Sequence, residues 1–360
     1  GGVANLPRWR ANANVVPFSV QSLRETLVPG AKDDAEKATG VCKFADEVTN
    51  YFDASYCESL PTRHRKRVSY TLLKALTAVQ PARRVSPDHG VPAVASCSID
   101  SEDHDWEEVA STTLLDAEAL PRDVTADAPA GAGELPVARL LLDDRIAGTL
   151  AQVRAILPPT EFTDDLVERL AAAYAPGQTM SEAFGRWLET WLGPLGLIVY
   201  DCADPAAKPL AAPVFAHELS HPGRTTALAA EAGAALVQKG YHAQVDAHRD
   251  AAALFHLDPE RHAIRIEGDG FAVGARAVSA ADLVAEAAAH PERFSPNVLL
   301  RPLVQDTLFP TVAYVGGPSE LAYLGQLRGV YEHFGIPMPI VVPRSTATLL
   351  DSAANRFLQR

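Results

Sequence analysis

The stretch Val91-Pro-Ala-Val-Ala-Ser-Cys-Ser-Ile-Asp100 runs directly into Ser101-Glu-Asp-His-Asp-Trp-Glu-Glu108. Its first half is short, largely apolar and carries β-branched residues near both ends, which reads as a buried strand. Its second half is a polar loop. A buried strand discharging into a polar loop is how an open α/β sheet presents its site. Leu195-Gly-Leu-Ile-Val-Tyr-Asp201 repeats the pattern, an apolar strand that ends in an acid.

Working outward, 68–79 reads as a helix with Leu72, Leu73, Leu76 and Val79 on one face. Between 137 and 195 apolar residues recur every three or four positions, and Pro158, Pro159 and Pro176-Gly177 divide them into about three helices. Two further helices are expected over 206–219 and 224–239, the second closed by Gly240. Then come a strand over 242–245 and a hairpin over 263–278 that turns at Gly268-Asp269-Gly270. A helix to His290 is capped by Ser279. Tyr314-Val-Gly-Gly-Pro-Ser-Glu320 opens a helix to about 334, and 336–342 closes the chain as a strand. Strands alternating with helices predict an α/β protein with a mainly parallel sheet and helical insertions.

The 360 residues are 47% hydrophobic and 21% charged, with 23 Gly and 27 Pro. That Pro and Gly content is far below the ~25–30% of low-complexity chains. The net charge of −13 argues against a nucleic-acid partner or an anionic membrane surface. No apolar run reaches the ~18–20 residues of a membrane span. Cys42, Cys57, Cys97 and Cys202 form no CxxC pair, which suits free thiols in a reducing cytoplasm.

Four constellations could carry chemistry. The first, 100–108, gathers Asp100, Glu102, Asp103 and Asp105 around His104, a setting for a proton shuttle or a phosphate contact. The same residues also suit a solvated acidic helix start. The second, 314–320, joins a strand, Gly316-Gly317 and a helix start at Pro318, which is either an anion-binding turn or a tight packing turn. Arg301, Gln305 and Asp306 lie just upstream. The third, His217-Glu-Leu-Ser-His221, matches the metal motif HExxH. Pro222-Gly223 stop its helix at the second histidine and the sequence identifies no third ligand, so no metal site is expected there. The fourth, Arg63-His-Arg-Lys-Arg67, is a basic run that reads as a solvated face or a phosphate cradle.

Several blocks together resemble the bacillithiol biosynthesis cysteine-adding enzymes, the BshC family. They are 101–109, Gly240-Tyr-His-Ala-Gln-Val245, Phe294-Ser-Pro-Asn-Val-Leu-Leu-Arg-Pro302, the long block from Gln305 to Pro318, and Ile336-Pro-Met-Pro-Ile-Val-Val-Pro-Arg344. The resemblance runs from about Val68 to the C-terminus. It implies a Rossmann-like core similar to class I nucleotidyltransferases, with helical insertions and a C-terminal coiled coil that dimerises. On that reading 1–67 is a poorly defined segment, 68–124 and 195–344 form the core, 125–194 is a helical insertion, and 345–360 starts a C-terminal helix short of the coiled coil. Glu58–Arg67 stands where the family carries a Thr-Gly-Gln-Gln and glycine-rich loop.

The reaction the resemblance implies joins cysteine to glucosaminyl-malate through an amide. A carboxylate is a poor electrophile, so ATP with Mg²⁺ is the expected activator. The implied catalytic residues are His104, Asp103 and Asp105. The implied substrate- or nucleotide-binding residues are Ser101, His242, Arg301, Gln305, Asp306, Tyr314, Gly316, Gly317 and Glu320. The alternative is an inactive relative that still binds a sugar-malate or a nucleotide.

Overall fold

The computed structural model describes residues 68–346 apart from 91, 119, 246–249 and 259, and the side chains of 68–70 and 86–89 are not described. The basic run 63–67 lies outside the described residues, as do Cys42 and Cys57. Two parallel strand pairs frame the site. The first joins β1 (Ala95–Ile99) to β4 (Leu197–Asp201), with Ala95 opposite Leu197 and Ile99 opposite Asp201. The second joins β10 (Ala313–Gly316) to β11 (Ile340–Pro343). Helix α1 (Val68–His89) packs against β1 and β10 and so links the two pairs. It continues well past the expected end at Val79.

Between β1 and β4 the chain adds a lobe. It starts with one helical turn, α2 (Trp106–Val109), and an antiparallel hairpin of β2 (Ser111–Leu115) and β3 (Pro121–Thr125). The sequence reading did not foresee this hairpin, whose turn is held by the Asp116 carboxylate accepting the N–H groups of Glu118 and Leu120. Three helices follow as expected: α3 (Ile146–Ile156), α4 (Thr163–Ala173) and α5 (Met180–Leu192). Helix α5 starts in a capping box, in which Thr179 accepts from Glu182 N–H and Glu182 reaches back to Thr179 N–H. Leu188 and Leu192 of α5 bury against Ala75, Val79, Ala95 and Leu197, which seats this lobe on the first strand pair. A separate cluster holds Trp106 with Val137, Leu140, Leu142 and Ile146.

After β4 come α6 (Lys208–Ser220) and α7 (Arg224–Gln238), close to their expected bounds. A five-stranded antiparallel sheet then adds to the parallel pairs that the sequence led us to expect. It consists of β5 (Ala251–Leu257), β6 (Arg261–Glu267), β7 (Gly270–Val273), β8 (Arg276–Ser279) and β9 (Phe294–Pro296), in the order β8-β7-β6-β5-β9. The predicted Gly268-Asp269 turn joins β6 to β7, and a Cβ on Gly270 would stand 2.7 Å from the Val278 carbonyl oxygen. Ser279 caps α8 (Ala280–Ala289) by accepting from Asp282 N–H at 3.1 Å. The largest core gathers Phe215, Leu219, Leu254, Ile264, Phe271, Leu283, Phe294 and Tyr331 between this sheet and its helices.

Two expectations are corrected. The strand over 242–245 is a loop, because the buried Gln326 side chain takes its hydrogen bonds: Val245 N–H donates to Gln326 Oε1 at 2.9 Å, and Gln326 Nε2 donates to the Val245 carbonyl at 3.1 Å. The helix from 318 to 334 is two, α10 (Pro318–Leu324) and α11 (Arg328–Phe334), separated at Gly325–Leu327. The remaining helix, α9 (Arg301–Leu308), follows β9. No helix among the described residues is long and apolar enough to cross a membrane.

Candidate active site

A small cleft opens beyond the carboxyl ends of β1 and β4, between them and helices α6 and α9. In an open parallel α/β arrangement, this is where ligands bind. Asp100, Glu102, Tyr200, Lys208, Arg301 and Gln305 carry its polar wall. Local sequence explains how the two cations come to face it. Arg301 is the first residue of α9, with Pro302 behind it at a position that pre-sets the helix. Asn297 turns the chain into that helix by accepting the N–H groups of Leu299 and Leu300, and Leu299, Leu300 and Leu303 anchor it in the core. Lys208 is likewise the first residue of α6, followed by Pro209.

Arg301 ties the two parallel pairs together. Its Nε meets Asp100 Oδ2 at 3.0 Å at the end of β1, and its Nη2 donates to Tyr323 OH at 3.4 Å. Tyr323 lies 3.4 Å from Tyr314 OH, and Tyr314 donates to Glu320 Oε1 at 2.8 Å. Lys74 of α1 closes the chain at 2.5 Å from Glu320 Oε1. Burial opposes the Arg301 charge, but Asp100 and the two tyrosines more than offset it and hold the guanidinium firmly protonated. Burial would raise the Glu320 carboxyl. Lys74, Gly317 N–H and Tyr314 override it and hold Glu320 below the usual carboxylate range. Burial and the neighbouring Glu320 push Tyr314 up, so it stays a donor.

Deeper in the cleft, buried Lys208 pairs with buried Glu102 and also donates to the Phe294 carbonyl at 2.9 Å. Burial raises Glu102 even against the Lys208 charge. A buried pair of this kind becomes costly when one partner is removed, because the other charge is left uncompensated. Cys202 also lines the cleft; burial, with Asp100 second, pushes its thiol up to about 12, so it offers no thiolate.

The residues singled out from sequence divide between two places. Asp100, Arg301 and Gln305 line the cleft, and Tyr314 and Glu320 join it through Arg301. Ser101 is buried and donates to Asp201 Oδ1, locking the ends of β1 and β4 together. Asp306 accepts from Tyr331 OH at 2.6 Å on the inner side of α9. Gly316 accepts from Arg344 N–H at 2.8 Å. The expected close approach at Gly317 is taken by the chain itself, since a Cβ there would stand 3.1 Å from Arg344 Nη1. The ammonium that Glu320 holds is that of Lys74.

The expected trio of His104, Asp103 and Asp105 lies outside the cleft wall. His104 is about half exposed and meets Asp103 at 3.2 Å, Asp103 reaches Arg261 Nη1 at 3.0 Å, and Asp105 caps α2 by accepting Glu108 N–H at 3.2 Å. The backbone explains this. Ala138 N–H donates to the Ser101 carbonyl and Val137 N–H to the Asp103 carbonyl, so the loop leaves the cleft and follows the added lobe, where Trp106 buries. His242 is exposed on the loop held by Gln326.

Lys74 and Lys208 were missed from sequence. Only their position, one on the face of α1 and one at the first turn of α6, could have flagged them. The expectation that no third imidazole joins His217 and His221 is also corrected, because His333 at the end of α11 stands with them.

The chain was compared with known proteins. The family profile described as "Bacillithiol biosynthesis BshC, N-terminal Rossmann-like domain" matches residues 69–345. A curated protein of Salinibacter ruber named "Putative cysteine ligase BshC" is 36% identical over 296 residues, covering 81% of this chain and 53% of that protein. Namesakes from Chlorobaculum tepidum and Koribacter versatilis are each 35% identical, covering 81% and 80% of this chain and 52% and 53% of those proteins. The chain thus spans about half the length of the curated relatives it matches.

Proposed function

The chain belongs to the bacillithiol biosynthesis BshC family through its Rossmann-like domain, and on that premise we propose that its strand-end cleft serves a ligase that joins cysteine to glucosaminyl-malate. The observation that carries this reading is the Arg301–Asp100 pair at the mouth of the cleft, between the ends of two parallel strand pairs. The new bond is an amide between the cysteine carboxyl carbon and the sugar amine nitrogen. ATP, when bound, supplies the leaving group that a bare carboxylate lacks.

The donor set fits a nucleotide with its metal. Arg301 offers planar N–H donors suited to carboxylate or phosphate oxygens. The half-exposed Asp100 carboxylate is the hard oxygen ligand that Mg²⁺ takes. Lys208 and Glu102 fix the floor of the cleft as a neutral pair, so that no net charge there competes with an incoming zwitterion. Tyr314 and Tyr323, kept protonated, hold the Arg301 side chain in its place through hydroxyl contacts. The apolar remainder of the wall, with Phe215 and Leu308, limits water at the reacting carboxyl. The reading places the chain in the cytoplasm, where cysteine and ATP are supplied.

The test is mass spectrometry of product. The purified chain is incubated with cysteine, glucosaminyl-malate, ATP and Mg²⁺, and bacillithiol is sought above a no-enzyme control. Product that disappears with Arg301→Ala supports the reading. A folded chain that makes no product, and whose melting temperature no substrate shifts, overturns it.

A further inference from the structure

At the end of α6 opposite Lys208, three histidines converge where α6 and α11 end. His217 and His221 sit one turn apart at the carboxyl end of α6, and His333 lies in the last turn of α11. One ligand atom from each lies within 4.8 Å of the others, and no other such group of His, Cys, Asp and Glu is found among the described residues. Their rings are 4.3 Å (His217–His221), 4.8 Å (His217–His333) and 5.2 Å (His221–His333) apart between centroids. Phe334 packs on two of the rings, 4.6 Å from His217 and 5.3 Å from His333, and walls the group on its inner side.

The hydrogen bonding leaves ring nitrogens open to a ligand. Nε2 of His217 and Nε2 of His333 are both buried and have no hydrogen-bond partner. An unpaired buried polar atom costs roughly 1–3 kcal/mol and calls for an explanation. His221 Nδ1 lies 2.9 Å from the His217 carbonyl oxygen. A carbonyl only accepts, so Nδ1 carries the proton and Nε2 keeps a free lone pair. This is the arrangement by which an outer hydrogen bond sets the tautomer of a metal-binding histidine.

We propose that His217, His221 and His333 form a zinc site that fastens the end of α6 to the end of α11. Three imidazoles are a borderline-soft set that suits Zn²⁺ and its neighbours rather than Mg²⁺ or Ca²⁺. Zinc at ~2.0–2.1 Å from each nitrogen needs them about 3.3 Å apart. The exposed His221 has room to close that gap.

The site is not that of a peptidase, although its first two histidines fit HExxH. The glutamate of that motif would have to face the metal as a base. Here Glu218 is 1% exposed and turned into the core, where it accepts Ala253 N–H at 2.7 Å and the Thr225 hydroxyl. Lys208 and His217 are nine residues apart on α6, so the site lies about 14 Å along the helix from the buried Lys208–Glu102 pair, and none of the three histidines lines the cleft. Its role is therefore structural, and it stands whether or not the ligase reading holds.

The experiment uses the untagged full chain, stripped with chelator and dialysed. Zinc content is measured after equilibration at micromolar Zn²⁺, and Co²⁺ replaces zinc for visible spectroscopy. One equivalent of zinc, tetrahedral cobalt bands and a melting temperature raised by zinc are expected. His221→Ala, on an exposed side chain, and His333→Ala should each weaken zinc binding by more than the about 10–100-fold that loss of an outer partner costs. Arg301→Ala should bind zinc like the parent chain. Parent protein that takes up no more zinc than His221→Ala overturns the site.

Discussion

The strand-end cleft and the histidine group handle polar atoms in opposite ways. In the cleft and the chain of contacts behind it, each charge has a partner from elsewhere in the chain: Asp100 with Arg301, Glu102 with Lys208, and behind them Glu320 with Lys74. At the ends of α6 and α11 two buried ring nitrogens have none. The first region is already neutral and gains by exchanging its half-exposed partners for a charged substrate. On the zinc reading, the second gains its partner from a cation. A polar cluster thus announces its ligand by what remains unpaired rather than by how many charges it holds.

The largest expected effect comes from Lys208→Ala, which leaves Glu102 buried and alone. Loss of one partner of a buried pair costs about 3–5 kcal/mol. Urea unfolding should show an unfolding free energy lower by that amount, and a loss below about 1 kcal/mol would mean that the pair is not desolvated. Arg301→Ala should lower ligase turnover about 10²–10³-fold, the loss typical of one preorganised donor in a site. Steady-state rates of bacillithiol formation measure it, and unchanged rates would move the chemistry elsewhere.

Glu320→Gln removes an ionic partner of Lys74 and should cost roughly 1.5–3 kcal/mol at neutral pH, the range for hydrogen bonds to charged groups. Its folded carboxyl titrates below the unfolded value. The stabilisation is therefore present above the usual carboxylate range and is lost as pH falls through the lower, folded value. Parent and Glu320→Gln stabilities should converge in acid; a gap that stays constant down to strongly acidic pH would contradict the assignment. The smallest effect belongs to His104→Ala. An exposed ring with one local contact should change stability by no more than about 0.5 kcal/mol. Turnover should fall less than tenfold, and a larger drop would bring the loop at 103–105 into the reaction.

Much of the fold was legible in local pattern. The strands that end at Ile99 and Asp201, the three helices of the added lobe and the Ser279 cap follow from apolar periodicity and capping residues. The five-stranded antiparallel sheet was only half visible, because β5 and β9 pair across about forty residues of intervening chain rather than through one turn. The loop at 242–245 was misread for a related reason. Its backbone partners are the side chain of Gln326, a residue about eighty positions away.

The sequence by itself determined that a strand delivers Asp100 to a polar loop, that a strand leads into a helix start at Gly316-Gly317-Pro318, and that His217 and His221 lie one turn apart at a helix end. Each follows from spacing along a few consecutive residues, where helix and strand geometry leave little choice. Only the tertiary structure decided that Arg301 bridges to Asp100 and Tyr323, that Lys208 neutralises Glu102, and that His333 completes the histidine group. These are contacts between segments dozens to hundreds of residues apart. They are set by how helices and strands pack, which no local pattern of residues records.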